Sequence, residues 1–267
     1  VGRGLTVADL DGRVVVVTGA GTGVGRVLAT RYAQAGARVL VAARRVGLLE
    51  ETAALVRAEG AEAEVVRADL RVEDDCRRVV AAAVERWGAL DVLLNNAAVP
   101  GRDMPVSEMT LDNWNDTIAT NVTGPMLMAR EALSQAMVPA RSGNIQFFSS
   151  GAAKAVRPKK SHYAVAKMGL LPLTRTLALE VGELGIRVNT LVLGAVSGEL
   201  VDAWLDRVAA EKGTDRAELL AELGKDAALR RLVDPGEVAD TSLWLASDAS
   251  SAITGQDINV TAGAEMR

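Results

Sequence analysis

Val14-Val15-Val16-Val17-Thr18-Gly19-Ala20-Gly21-Thr22-Gly23-Val24-Gly25 is the most informative stretch of the chain. Four β-branched residues in a row suit a strand buried on both faces, as in a parallel sheet. The glycines that follow permit a sharp turn and a close approach to the backbone. Val24, Val27, Leu28, Tyr32 and Ala35 then recur at helical spacing, and Gly36 ends the helix. A helix that opens directly on such a turn presents free N–H groups and a partial positive charge, which suits a pyrophosphate. Glycine-rich turns are common, and a purely structural turn is the other reading; strand before and helix after supply the context that dinucleotide binding needs.

The same alternation runs outward from this stretch. Strands are predicted at 14–17, 38–43, 63–67, 91–95, 144–150, 187–193 and 257–260, with helical stretches at 48–59, 73–87, 110–136, 163–182 and 234–247. Strands alternating with helices predict an α/β fold, a doubly wound, Rossmann-type parallel sheet of seven strands with helices on both faces. No proline-rich linker or shift in composition divides it, so residues 1–267 are predicted to form a single domain. Residues 200–232, charged and helix-prone, interrupt the alternation. Lying above the C-terminal strand ends, they form a candidate substrate lid.

Composition narrows the function. Apolar residues make up 49% of the chain and charged residues 24%, as in an ordinary globular protein, while 3% aromatics leave the core to Val, Leu and Ala. A net charge of −4 argues against a nucleic-acid partner. One cysteine (Cys76) and one histidine (His162) exclude an internal disulfide and predict no metal site. No apolar run approaches the roughly 18 residues that span a bilayer. Residues 1–11 include Asp9 and Asp11 and lack a signal-peptide core, so the expected location is cytoplasmic.

Two places suggest the chemistry. The second strand ends Ala42-Ala43-Arg44-Arg45. An acidic residue there would bind the 2′-hydroxyl of NAD and repel a 2′-phosphate, whereas Arg44 can grip one, so NADP(H) is favoured over NAD(H). Solvated loop charges are the other reading of the two arginines. Further on, Tyr163 and Lys167 are four apart at the start of a helix and share a face. An ammonium beside a phenol should lower its pKa and let it exchange a proton with a substrate oxygen. Ser150 ends a strand thirteen residues before Tyr163, at the edge where ligands sit, and its hydroxyl can hold the same oxygen.

Taken together, these motifs resemble the short-chain dehydrogenase/reductase family, in its branch of about 250 residues, from Leu10 to Met266. The resemblance rests on the turn from Thr18 to Gly25, Asp69-Leu70, Asn95-Asn96-Ala97, Asn121, Ser150, Tyr163 and Lys167, in that order. It implies a hydride transfer between a nicotinamide and a carbonyl or alcohol. Tyr163 would be the general acid/base, Ser150 the ligand of the substrate oxygen, and Lys167 the partner of the nicotinamide ribose. Asn121 would position a water in a proton relay. The dinucleotide would lie along Gly19, Thr22, Gly23, Val24 and Gly25, with Arg44, Asp69, Leu70, Asn96 and Ala97 around its adenosine half. Val196 would meet the carboxamide through its backbone. The resemblance further implies a homodimer or homotetramer, and the Tyr–Lys spacing fits alcohol and ketone chemistry better than enoyl reduction.

The chain departs from the family pattern on the nicotinamide side. Ala98 replaces a glycine, Leu193 a proline, and Gly198 a threonine that would hydrogen-bond the carboxamide, with Ser197 one position away as a substitute. Thr261-Ala262-Gly263 replaces a common Asp-Gly-Gly. The predicted substrate walls, 99–104, 151–156 and Leu200 with Trp204, are mostly apolar and suit a small hydrophobic ketone or alcohol. Lys154, Arg157, Lys159 and Lys160 are read as a solvated loop, or else as a steering patch for an acidic substrate. His162 is expected to be exposed. Two alternatives remain: a 3-ketoacyl-(carrier protein) reductase, which Leu179 in place of a common arginine disfavours, and a nucleotide-binding member of the fold without turnover.

Overall fold

All five residues of β1 (Val14–Thr18) are buried, so the sheet is covered on both faces. The computed structural model describes residues 10–266, without the side chains of residues 199, 200 and 212. The reading of residues 1–9 and the side chain of Leu200 therefore lie outside the described residues. The other strands are β2 (Arg38–Ala43), β3 (Ala63–Arg67), β4 (Val92–Asn95), β5 (Gly143–Ser150), β6 (Ile186–Leu193) and β7 (Asp257–Val260). They form one seven-stranded sheet in the order β3-β2-β1-β4-β5-β6-β7, every neighbouring pair parallel. The chain winds outward from β1 to β3, then returns to β1's other side with β4. A crevice opens at that reversal, beyond the C-terminal strand ends.

Ten α-helical segments are described: α1 (Gly23–Gln34), α2 (Val46–Ala58), α3 (Glu73–Trp87), α4 (Leu111–Ile118), α5 (Gly124–Ala132), α6 (Val138–Ala140), α7 (Ser161–Val181), α8 (Glu199–Lys212), α9 (Arg216–Gly224) and α10 (Pro235–Ala246). Alternation along β1 splits the core in two. Val14 and Val16 pack with residues of α3, α5 and α7 on one face. Val15 and Val17 pack with α1, α2 and α10 on the other. Each predicted strand is present to within one residue at either end. Among the described residues, no helix is long and apolar enough to cross a membrane.

One predicted helix is not continuous. Residues 110–136 contain a π-helical turn at Ala119–Thr123, before α5, and a second at Leu133–Met137, before α6. Each turn ends two residues before a proline, Pro125 or Pro139. A proline ring crowds the carbonyl four residues back and offers no N–H, so the helix widens just ahead of it. Asn121, at the middle of the first turn, thereby loses the donor that residue 125 would give its carbonyl.

A buried polar network joins the two halves of the molecule. On β5, Gln146 Nε2 donates to Asn144 Oδ1 (2.8 Å) and the Ser242 carbonyl (2.9 Å), and its Oε1 accepts from Ser242 Oγ (2.6 Å). Tyr32 Oη on α1 lies 2.9 Å from Ser242 Oγ and 3.0 Å from the Ser242 carbonyl. Burial pushes the Tyr32 phenol well above its usual range, so it stays a neutral partner. Replacing Tyr32 with Phe leaves Ser242 bonded to Gln146 and should cost about 1 kcal/mol. Gln146→Leu removes three hydrogen bonds at once and leaves Asn144 Oδ1 without this donor, while Ser242 keeps Tyr32, and it should cost roughly twice as much or more. Urea unfolding checks the order; equal losses would refute Gln146 as the hub.

Candidate active site

Two glycines of the turn have no room for a side chain. A Cβ on Gly19 (φ +68°) would lie 2.7 Å from Ala97 Cα, and one on Gly25 would lie 2.3 Å from the Gly19 carbonyl oxygen. The turn after β1 is thus pressed against the segment after β4. Asn96 fastens the two: its Nδ2 donates to the Thr18 carbonyl (3.0 Å), and Thr18 Oγ1 accepts from Asn96 N and Ala97 N. The turn's carbonyls are tied back as well. Thr52 Oγ1 donates to the Ala20 carbonyl (2.8 Å) and Arg26 to the Gly21 carbonyl (2.7 Å). A trans peptide points its N–H opposite its C=O, so the N–H groups of Gly21 and Thr22 face the other way.

Beyond the turn lies a cleft of about 300 Å³. It brings together Gly19, Thr22, Gly23, Val24 and Gly25 with Arg44 and Arg45 past β2, Asp69 and Leu70 past β3, and Asn96 to Val99 past β4. Arg44 and Arg45 are exposed. Arg71 holds Asp69 through Nε (2.9 Å) and a second nitrogen (2.5 Å), and also pairs with Asp116. That hydrogen bonding holds the Asp69 carboxyl below the usual range, with Arg44 a smaller contributor. A cradle closed to any Cβ, tied-back carbonyls and two arginines form a donor set suited to a dinucleotide carrying phosphates.

Ser150, Tyr163 and Lys167 meet at the C-terminal end of β5. Lys167 is buried; its Nζ donates to the Phe148 carbonyl (2.7 Å) and stands 5.8 Å from the centroid of the Tyr163 ring. Ser149 Oγ donates to the Lys167 carbonyl (2.8 Å), fixing α7 to the strand. Burial lowers the Lys167 ammonium to about 8. The phenol runs against expectation. Burial raises the Tyr163 pKa, and the hydrogen bond with Ser150 only partly offsets it. The ammonium is engaged by Phe148, so loss of solvent dominates.

Asn121 is fully buried, and its amide clamps Val99: Nδ2 donates to the carbonyl and Oδ1 accepts from N, both at 2.8 Å. That side chain is therefore committed to the loop. Asn113 grips Arg102 in the same two-sided way (2.8 and 3.0 Å). Sequence reasoning missed Asn113, Arg26 and Thr52, because nothing local marks a side chain that acts on a distant backbone.

On the nicotinamide side, Val196 bridges to Val233. Ser197 gives both its N–H (2.9 Å) and its hydroxyl (3.2 Å) to the Val233 carbonyl, so it does not substitute for the missing threonine. Gly198 has φ +138°, a conformation that threonine would rarely adopt. Ala262 sits at φ +52°, strained for a residue with a Cβ, where the family pattern has glycine.

Two further expectations are corrected. His162 is fully buried, with Nε2 3.1 Å from the Pro100 carbonyl. The basic cluster is not one patch. Lys154 Nζ bonds Asn259 Oδ1 (3.0 Å) and lies 3.9 Å from Asp257, while Lys160 pairs with Asp103; Arg157 and Lys159 are exposed. Trp204, on the predicted substrate wall, is exposed.

Known proteins share this architecture over their whole length. The family model described as enoyl-(acyl carrier protein) reductase matches residues 19–265. The short chain dehydrogenase/reductase astE of Aspergillus oryzae is 35% identical over 259 residues, 97% of either chain. Among solved structures, a variant of actinorhodin polyketide ketoreductase with NADPH superimposes with a TM-score of 0.88 at 31% identity, covering 96% of this chain and 98% of that one. NAD+-bound xylitol dehydrogenase does so at 0.87 and 28%, covering 95% and 99%.

The Lys167 pKa predicts a pH signature. Between about 8 and the ordinary lysine value, the folded chain has released this proton while the unfolded chain keeps it. The unfolded state then binds more protons, so stability rises with pH. From pH 7 to pH 9 the wild type should gain about 1 kcal/mol relative to Lys167→Met. Urea unfolding at both values checks this; a flat difference would show that the ammonium is solvated.

Proposed function

The chain belongs to the short-chain dehydrogenase/reductase family and is an oxidoreductase, and from that premise we propose that it interconverts a ketone or aldehyde and the corresponding alcohol, with NADP(H) preferred over NAD(H). The observation that carries this reading is the meeting of Ser150, Tyr163 and Lys167 at the strand edge beside the dinucleotide-shaped cleft. A nicotinamide cofactor bound there supplies or accepts the hydride. In the direction of reduction, Ser150 Oγ holds the carbonyl oxygen and Tyr163 Oη gives it a proton. A raised phenol pKa keeps that proton in place near neutrality, which suits a general acid. Lys167, with a pKa of about 8, is poised to return a proton to Tyr163 at physiological pH. The Asn121 carbonyl holds the water that recharges it.

Ala43 and the exposed Arg44 support the preference for NADP(H), since no carboxylate ends β2 to repel a 2′-phosphate. Residues 200–232, with α8 and α9, act as the lid of a single-domain enzyme. Buried Leu205 and Val208 anchor α8 while Trp204 stays exposed. The protein works in the cytoplasm as a homodimer or homotetramer. Val165 and Met168, exposed on α7, support a covered face, and light scattering reads the assembly.

Tyr163→Phe should keep NADPH binding and lower ketone reduction by at least 100-fold, on the order of a lost general acid. A variant with wild-type turnover would end the proposed mechanism. For cofactor choice, fluorescence titration should show tighter binding of NADPH than NADH. Arg44→Ala should weaken NADPH about tenfold, the loss of one charge-assisted contact, and leave NADH nearly unchanged. Tighter binding of NADH by the wild type would overturn the preference.

A further inference from the structure

Residues 99–104 run from the cleft toward α4 without forming a strand. Their peptide groups have no ladder partner, and buried groups from elsewhere take that place. Asn121 holds Val99 from both sides, Asn113 holds Arg102 likewise, and Met104 N donates to the Lys159 carbonyl (3.0 Å). Between them, the Pro100 carbonyl meets His162 Nε2 at 3.1 Å. A carbonyl only accepts, so Nε2 carries the proton and donates.

The ring is fitted closely. A Cβ on Gly101, which sits at φ +65°, would stand 2.4 Å from His162 Cδ2 and Nε2 and 2.7 Å from Thr117 Oγ1. His162 Nδ1 is buried without a partner, a cost that an apolar ring of similar size would avoid. An imidazole tolerated there at that cost points to the bond that its other nitrogen makes. His162 also directly precedes Tyr163 on the first turn of α7. The loop that lends Ala98 and Val99 to the cleft is therefore bonded to the residue next to the phenol.

We propose that His162 is a positioning residue for the reaction proposed above. It latches the loop at Pro100 and thereby keeps the wall of the reaction site in register with Tyr163. The inference rests on that reading of the reaction, and His162 itself touches neither substrate nor cofactor.

Three variants test it: His162→Phe fills the space without a donor, His162→Gln keeps a donor, and His162→Ala removes both. His162→Phe should keep most of the thermal stability and the NADPH affinity. Its kcat/KM for a ketone should fall roughly tenfold, and the amides of Val99 and Arg102 should exchange hydrogen faster. His162→Gln should recover slow exchange and most of kcat/KM. His162→Ala should show the same loss as His162→Phe, with lower stability besides. The latch is overturned if His162→Phe keeps wild-type kcat/KM, if His162→Gln is as impaired as His162→Phe, or if activity across the three follows melting temperature alone. Hydrogen exchange needs no turnover. Faster exchange in His162→Phe, with no ketone reduced by the wild type, supports the latch and sinks only the proposed reaction. Unchanged exchange in His162→Phe sinks the latch whatever the wild type reduces.

Discussion

A parallel sheet buried on both faces meets solvent only at its edges and at the two ends of its strands. In this chain β1 is covered along its whole length, and helices from two separate cores close over it. Because the winding reverses between β1 and β4, the segments leaving those two strands part and leave the crevice that the glycine-lined cleft occupies. The close packing of Gly19 and Gly25 against Asn96 and Ala97 follows from this constraint, since neighbouring parallel strands deliver their two exits side by side.

The site is built at a cost to stability. An ammonium is buried at Lys167 and lowered to about 8, and a neighbouring phenol is desolvated. Neither helps the fold, and shifted groups of this kind gather where proton transfer near neutral pH is done. Strain recurs close by, with Ala262 in a left-handed conformation and a π-helical turn around Asn121. In that turn Pro125 offers the Asn121 carbonyl no N–H, and the Asn121 amide is committed to Val99. Such departures cluster where a chain performs chemistry, because elsewhere they bring no compensating benefit.

Loop 99–104 shows how irregular backbone is made rigid. Two asparagine amides, each offering a donor and an acceptor, grip a peptide unit as a neighbouring strand would. Pinned in this way, a segment with no regular structure can serve as a wall of a reaction site.

The sequence by itself determined the layers, the seven strands, the glycine cradle and the order of Ser150, Tyr163 and Lys167. These depend on local features: β-branched runs, helical spacing, and glycine where a Cβ has no room. Tertiary structure alone decided the rest. Periodicity placed one helix over residues 110–136, and only the crowding ahead of Pro125 and Pro139 shows why it widens twice. His162 reads as an exposed neighbour of Tyr163 until Pro100 and Gly101 close around it. Lys154 reads as a loop charge until β7 brings Asp257 and Asn259 to it. An ammonium four residues from a phenol suggests an acidified tyrosine, yet burial reverses the shift. Solvation and long-range partners depend on what the fold brings near each group, and a local pattern of residues carries no record of that.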